Sequence, residues 1–144
     1  MKKSKRIAAL IAAVLMTVTM FTSAIPAYAA AAANTSIGTD TYGSNKITGY
    51  RSALSKTEMS ARTVSNKKAS TIAATIVVRN VNSKGNIVKA NGTPDKSADN
   101  ATASGLANVT SGSGNHFEYI YIMCAAIYDN NINHDAYTDY TYEF

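Results

Sequence analysis

The chain contains no tryptophan, one cysteine, two prolines and two histidines in 144 residues. Each shortage removes a class of protein. Cys124 has no partner within the chain, so no internal disulfide can staple a domain this small, and stability must come from packing. Its neighbours Ile122, Met123, Ala125 and Ala126 mark it as a small buried hydrophobe rather than a nucleophile. No cysteine and histidine cluster has zinc spacing, and no glycine-rich segment has the form of a phosphate loop. His116 and His134 stand apart in sequence, no serine sits in a G-x-S-x-G elbow, and no carboxylate pair is placed for acid–base work. An enzyme is therefore not expected, and no cofactor is implied.

Positive charge is scarcer than the formal net charge of +5 suggests. Lys2, Lys3, Lys5 and Arg6 precede any acidic residue, and residues 30–144 carry ten basic and nine acidic side chains, a balance of +1. Nucleic-acid binding, which needs a basic stripe to displace counterions, is excluded on this ground. Large aliphatic groups are few as well: Leu, Ile, Val and Phe number 19 of those 115 residues. That fraction falls below the roughly 20% at which disorder becomes a concern. Disorder also requires high net charge and few aromatics, however, and here the charge is near zero and eight tyrosines add apolar area. An ordered domain with a thin core is the expectation.

The basic start of the chain leads into an uncharged run, Ile7 to Ile25, then Pro26 and Ala27-Tyr28-Ala29. This order of basic segment, apolar run and A-x-A site is that of a secretory signal peptide over residues 1–29, cleaved after Ala29 or slightly later. The run of 19 uncharged residues approaches the roughly 20 that span a bilayer, but threonines dilute it and the cleavage motif follows it. The mature chain is expected to be extracellular, with no membrane span. Residues 30–46, rich in Ala, Thr, Ser, Gly and Asn, read as a flexible arm before a single domain over 47–144.

Within that domain the periodicity is two. Ile72, Ala74, Ile76 and Val78 alternate with Thr71, Ala73, Thr75, Val77 and Arg79, a half-buried strand with the first set facing the core and the second facing water. Asn82-Ser-Lys-Gly85 reads as a turn into a second strand over 86–90, and 91–100, with Asn91-Gly92 and Thr93-Pro94-Asp95, reads as a loop. Ala101–Thr110 and His116–Tyr128 form the next two strands, joined by the turn Ser111–Asn115, and Tyr140, Tyr142 and Phe144 share a face of the last strand. Residues 47–64 fit two short strands split near Lys56-Thr57, or a short helix, because Ser55-Lys-Thr-Glu58 resembles a capping box. The fold expected is an all-β, small antiparallel sandwich of about six or seven strands.

Two segments are candidates for function. Asp129, Asn131, Asn133 and Asp135 recur at every second position, as calcium ligands do in a loop, but His134 stands where the helix-loop-helix calcium motif has Gly and Tyr140 where it has Glu. A polar connection between the last two strands is the reading preferred, with no metal expected. Between Tyr119 and Tyr128 both faces of the strand are nonpolar, with Tyr119, Tyr121, Met123, Ala125 and Ile127 opposing Ile120, Ile122, Cys124 and Ala126. Something must cover the second face: the arm, the 91–100 loop or another molecule. Tyr119 and Tyr121 are the expected partner contacts in self-association or in binding an extracellular protein. The function expected is an extracellular binding or structural module, a surface or matrix component. The alternative is a secreted antimicrobial or toxin effector, since the chain is similar in size, export and small-residue texture to small exported β-sandwich bacteriocins of Gram-positive bacteria.

Overall fold

The alternating segment around Ile76 belongs to a strand far longer than its apolar stretch. In the computed structural model, which describes residues 32–144, that strand is β3, Glu58–Asn82, 25 residues long. Ahead of it lie β1 (Thr35–Tyr42) and β2 (Asn45–Arg51); after it come β4 (Asn91–Thr93), β5 (Asp95–Ala103), β6 (Ala107–Thr110), β7 (Asn115–Tyr128) and β8 (Asn131–Glu143). All pairings are antiparallel, and no helix occurs among the described residues. The secretory leader expected over 1–29 lies outside the described residues.

β3 takes partners on both of its edges, different ones in each of its two legs. Its first leg pairs with β2 from Ile47↔Ser65 to Arg51↔Ala61 and, on the other edge, with β6 from Glu58↔Thr110 to Ala61↔Ala107. Its second leg pairs with β7 over Thr71–Asn82 and with β5 over Ala69–Thr75. The pairing shifts register between the legs, beside the exposed run Asn66-Lys67-Lys68. The result is two layers, β1-β2-β3-β6-β4 and β5-β3-β7-β8, joined through one shared strand. Hydrogen bonding is thus continuous, and the sandwich is one sheet folded on itself.

The inner faces meet through small residues. Met59, Ala61, Ile76, Phe117, Ile122 and Cys124 form the main core cluster, and Ile47, Ile72, Tyr128 and Ala136 a second. Thr63 Oγ1 donates to the carbonyl of Ala73 at 2.6 Å, tying the two legs of β3 together, and the hydroxyls of Ser65 and Tyr128 meet at 2.7 Å. On one side the layers are closed by Tyr137 N donating to Asp40 Oδ2 at 2.8 Å. Because alanines, glycine and cysteine line the interface, the layers approach closely and little aliphatic bulk is needed to fill it.

Several expectations are corrected. There are eight strands, not six or seven. Within the stretch expected as a flexible arm over 30–46, residues 35–42 form β1 and 45–46 open β2, while 30 and 31 lie outside the described residues. No apolar alternation marks β1: Ile37 and Tyr42 pack on the core clusters, but a bulge beside Ile37 breaks the period, and between them stand Gly38, seated against Thr138, and Asp40, which caps the backbone of β8. The turn at Asn82–Gly85 forms, with Gly85 at φ 76° and Asn82 Oδ1 accepting from Lys84 N and Asn86 N. The strand expected at 86–90 shrinks to one bridge, Val81↔Ile87, and Ile87 is 71% exposed. The 91–100 loop holds β4 and the start of β5, parted by Pro94, whose carbonyl accepts from Ile76 N at 2.9 Å. The single strand expected over 101–110 breaks at Ser104, whose hydroxyl takes the Thr63 N–H at 3.0 Å. Ser55 Oγ does accept from Thr57 N and Glu58 N, half of a capping box, but the chain continues into β3 rather than a helix.

Candidate interaction face

Register decides what shares the outer face of the β5-β3-β7-β8 layer. Val77 pairs with Tyr121, Thr75 with Met123 and Ala73 with Ala125, while Tyr121 pairs with Thr141, Met123 with Asp139 and Ala125 with Tyr137. The apolar outer half of β7 therefore lies between β3 and β8 with side chains from both beside it. Neither β1 nor the 91–100 segment covers it, since β1 is in the other layer and β5 lies alongside β3. The chain covers part of it with tyrosine: Tyr137 packs on Ala125 and Ile127, and Met123 is 2% exposed. What stays open is the other half, where Val77 is 48% exposed and Tyr119 and Tyr121 are half-buried.

Three polar groups are fused at its centre. The Tyr121 and Tyr137 hydroxyls lie 2.6 Å apart, Tyr137 donates to Asp139 Oδ2 at 2.7 Å, and Tyr121 reaches the same oxygen at 3.4 Å. Burial pushes the Tyr137 phenol far up, and its bonds to Tyr121 and Asp139 push it further. Burial also raises Tyr121, with Tyr137 opposing and the Asp139 charge adding. Both phenols stay neutral at physiological pH and serve as rigid hydrogen-bonding aromatics. Tyr137, Asp139 and Val77 were not singled out by sequence. The place of Tyr137 and Asp139 is set by the turn Asp129-Asn130, at φ 56° and 51°, together with the bulge after it: Tyr128 pairs with Asn131 but Ile127 with Asp135, and this three-residue shift puts Tyr137 opposite Ala125.

Carboxylates frame the face. Asp95 and Asp99 on β5 stand opposite Thr75 and Thr71, and Asp135, Asp139 and Glu143 on β8 stand opposite Ile127, Met123 and Tyr119. Arg79 is held by Glu118 at 3.2 Å, beside a shallow depression also lined by Tyr119, Glu143 and Phe144. Burial raises the Asp95 carboxyl above its usual 3.8, with the Thr75 hydroxyl opposing. A raised folded-state value means stability that is present when Asp95 is protonated and lost as pH rises through that value. Asp95→Asn is therefore expected to raise the thermal midpoint at about pH 7 and to leave it unchanged near about pH 3, by calorimetry at both.

The calcium candidates are not brought to one point. Asp129 lies in the turn with its Oδ2 at 3.2 Å from His134 Nδ1, while Asn131, Asn133 and Asp135 lie along β8. Asn131 and Asp135 are held by pairing to Tyr128 and Ile127, so this segment runs along β7 instead of curling into a loop around an ion. Only Asp129 and Asn130 form the connection, so the expected polar loop over 129–135 is mostly strand. No group of three or more His, Cys, Asp or Glu side chains suited to a metal occurs among the described residues. The two histidines are apart, His116 opposite Val81 and His134 stacked on Tyr42 at 4.6 Å.

Cys124 is buried between the layers, its Sγ 3.5 Å from the carbonyl of Arg62. Burial pushes its thiol up to about 11 from 9.0, which leaves about a hundredfold less thiolate than an ordinary cysteine. Folded protein is expected to resist alkylation at about pH 8, with one equivalent reacting in denaturant, as followed by mass spectrometry. Rapid labelling of the folded state would contradict the packing described.

The fold and face define a class, an all-β antiparallel domain with one half-open aromatic and acidic sheet face. Comparison of the chain with protein-family models, curated proteins and solved structures gives no match. No helix among the described residues is long and apolar enough to cross a membrane.

Proposed function

We propose that the chain is a secreted extracellular module, a binding or structural component that acts by protein–protein contact through the outer face of β3, β7 and β8, with Tyr119 and Tyr121 in the contact. One observation carries this reading. Val77 is 48% exposed where β3 runs on past the end of β5, beside the half-buried Tyr121 to which it pairs, a position where a sheet facing only water would carry a polar side chain. Aromatic anchors within a polar rim are the composition of protein interfaces.

A photo-crosslinking residue replacing Val77, in the 144-residue chain expressed by its own cells, is expected to give a covalent protein adduct. The same residue at Lys84, exposed in the β3 turn, is expected to give none. A folded protein that forms no adduct at Val77 would end this reading.

A further inference from the structure

Charge is segregated on this molecule in a way that its near-neutral total conceals. The outer face of the β5-β3-β7-β8 layer carries Asp95, Asp99, Asp135, Asp139 and Glu143, and its one arginine, Arg79, is bound to Glu118. None of the other nine basic residues of 32–144 falls in the register of this face, although Lys56 reaches its rim 5.8 Å over the Phe144 ring, and the acidic residues outside it are Asp40, Glu58 and Asp129. A domain of net charge +1 thus divides into a face of about −5 and a remainder of about +6.

On the opposite side of the sandwich, the outer face of the other layer is built from β1, β2 and the first leg of β3. Lys46 and Arg62 project there, with Thr39, Thr41, Thr48 and Val64 between them, Arg62 stacked 5.4 Å over the Tyr50 ring and one carboxylate, Glu58, at the β6 end. Lys67 and Lys68 continue the basic side where β3 changes register, Lys67 donating to Ser44 Oγ at 2.8 Å. The sense of the strands explains the arrangement: alternate residues of β2 and β3 point inward as Ile47, Gly49, Ala61 and Thr63, leaving Lys46, Thr48, Tyr50 and Arg62 outward.

We infer that the occupant of the acidic aromatic face is the basic Thr-rich face of a second copy of this chain, so that domains stack head to tail. This inference rests on the contact face proposed above and names its partner. Pairing two acidic faces by a twofold would set five carboxylates against five others, a like-charge arrangement that costs several kcal/mol. Stacking acidic on basic instead sets Asp99, Asp139 and Glu143 against Lys46 and Arg62 and covers Val77 and Tyr121. Because the two surfaces lie on opposite sides, the contact is heterologous and does not close, so it propagates into a linear stack.

The test uses protein purified from cells expressing all 144 residues, in two variants confirmed as folded by circular dichroism. Val77→Lys with Glu143→Lys blocks the acidic face, and Lys46→Glu with Arg62→Glu blocks the basic face. Wild type is expected to grow in mass with concentration by sedimentation, and to dissociate from about 0.1 to about 1 M salt as the screening length falls from about 10 to about 3 Å. Each variant alone is expected to lose assembly at least about tenfold, and an equimolar mixture to form a dimer that extends no further. Asp99→Lys with Glu143→Lys serves in place of the first pair if lysine at 77 prevents folding. A monomeric wild type, or a mixture that stays monomeric, overturns the inference. Crosslinking from position 77 to another protein, or to position 77 of a second copy, also overturns it while leaving the contact face intact; absence of any adduct removes both.

Discussion

Ile76→Asp is expected to leave no folded domain at 25 °C, seen as loss of the β-type far-ultraviolet spectrum and of any cooperative urea transition. Ile76 is 3% exposed in the main core cluster, opposite Ile122. The change forfeits about 2–3 kcal/mol of apolar burial and places a carboxylate with no partner between the layers, a further several kcal/mol. Domains of this size are stable by only about 5–15 kcal/mol. Sequence alternation makes Thr75, on the other face, look like a harmless neighbour, and the structure corrects that expectation. Thr75 is 5% exposed and faces Asp95 across the β3–β5 pairing, so Thr75→Asp brings two carboxylates together and is expected to destabilise strongly as well, the more so as pH rises. The tolerant control is Val77→Asp, expected to cost no more than about 1 kcal/mol in the same urea titration.

Gly49→Ala is expected to be the other severe change, although it adds one methyl group. A Cβ at Gly49 would stand 2.8 Å from Ile37 Cγ1, 2.9 Å from Cys124 Sγ and 3.0 Å from Cys124 Cβ, so β2 cannot accept it unless the two layers separate. Overpacking of this kind costs about 1–3 kcal/mol, and here the obstacles close in from two sides, Ile37 on the neighbouring strand β1 and Cys124 on β7 of the facing layer, whose Cβ is fixed to its backbone, which points to the upper end. A fall in thermal midpoint of roughly 10 °C follows. Adding Cys124→Ala removes the sulfur and is expected to recover about half of the loss, a coupling that a double-mutant cycle measures. Equal costs with and without the cysteine would show that the layers are not in contact there.

The strands legible in the sequence were those that bury aliphatic side chains on one face at least. β7 and the second leg of β3 announced themselves through Ile120, Ile122, Ile72 and Ile76, and the all-β antiparallel architecture followed from them. β1 and most of β5 carry no such signal: TSIGTDTY and DKSADNATA bring only Ile37, Tyr42, Ala98 and Ala101 to the core, without a regular period, and Asn100 in β5 takes a positive φ of 49°. β3 was read as two strands because its polar middle, Ser65 to Lys68, looks like a boundary when it is only the place where partners change. At the interaction face, Tyr119 and Tyr121 were found from composition, while Tyr137, Asp139 and the β5 carboxylates join them only through register. Register in turn depends on a tight turn and on a three-residue bulge, both inside the polar segment 129–135, where no sequence signal marks either.

The shared strand also dictates when this protein can fold as it emerges from synthesis. Once residue 82 has appeared, β3 is complete, yet its second leg still lacks β5 and β7, the latter up to 45 residues further along the chain by the pairing Asn82↔Asn115 to Thr71↔Ile127. Until then the nascent chain presents two long unpaired edges of isoleucine and valine, the kind of surface on which chains stick to one another. No N-terminal portion can mature early, because β2 and β6 grip the same strand that β5 and β7 must complete. Folding is thereby deferred to the arrival of nearly the last residue, which keeps the chain extended, and dependent on whatever shields it, for almost the whole of its translation.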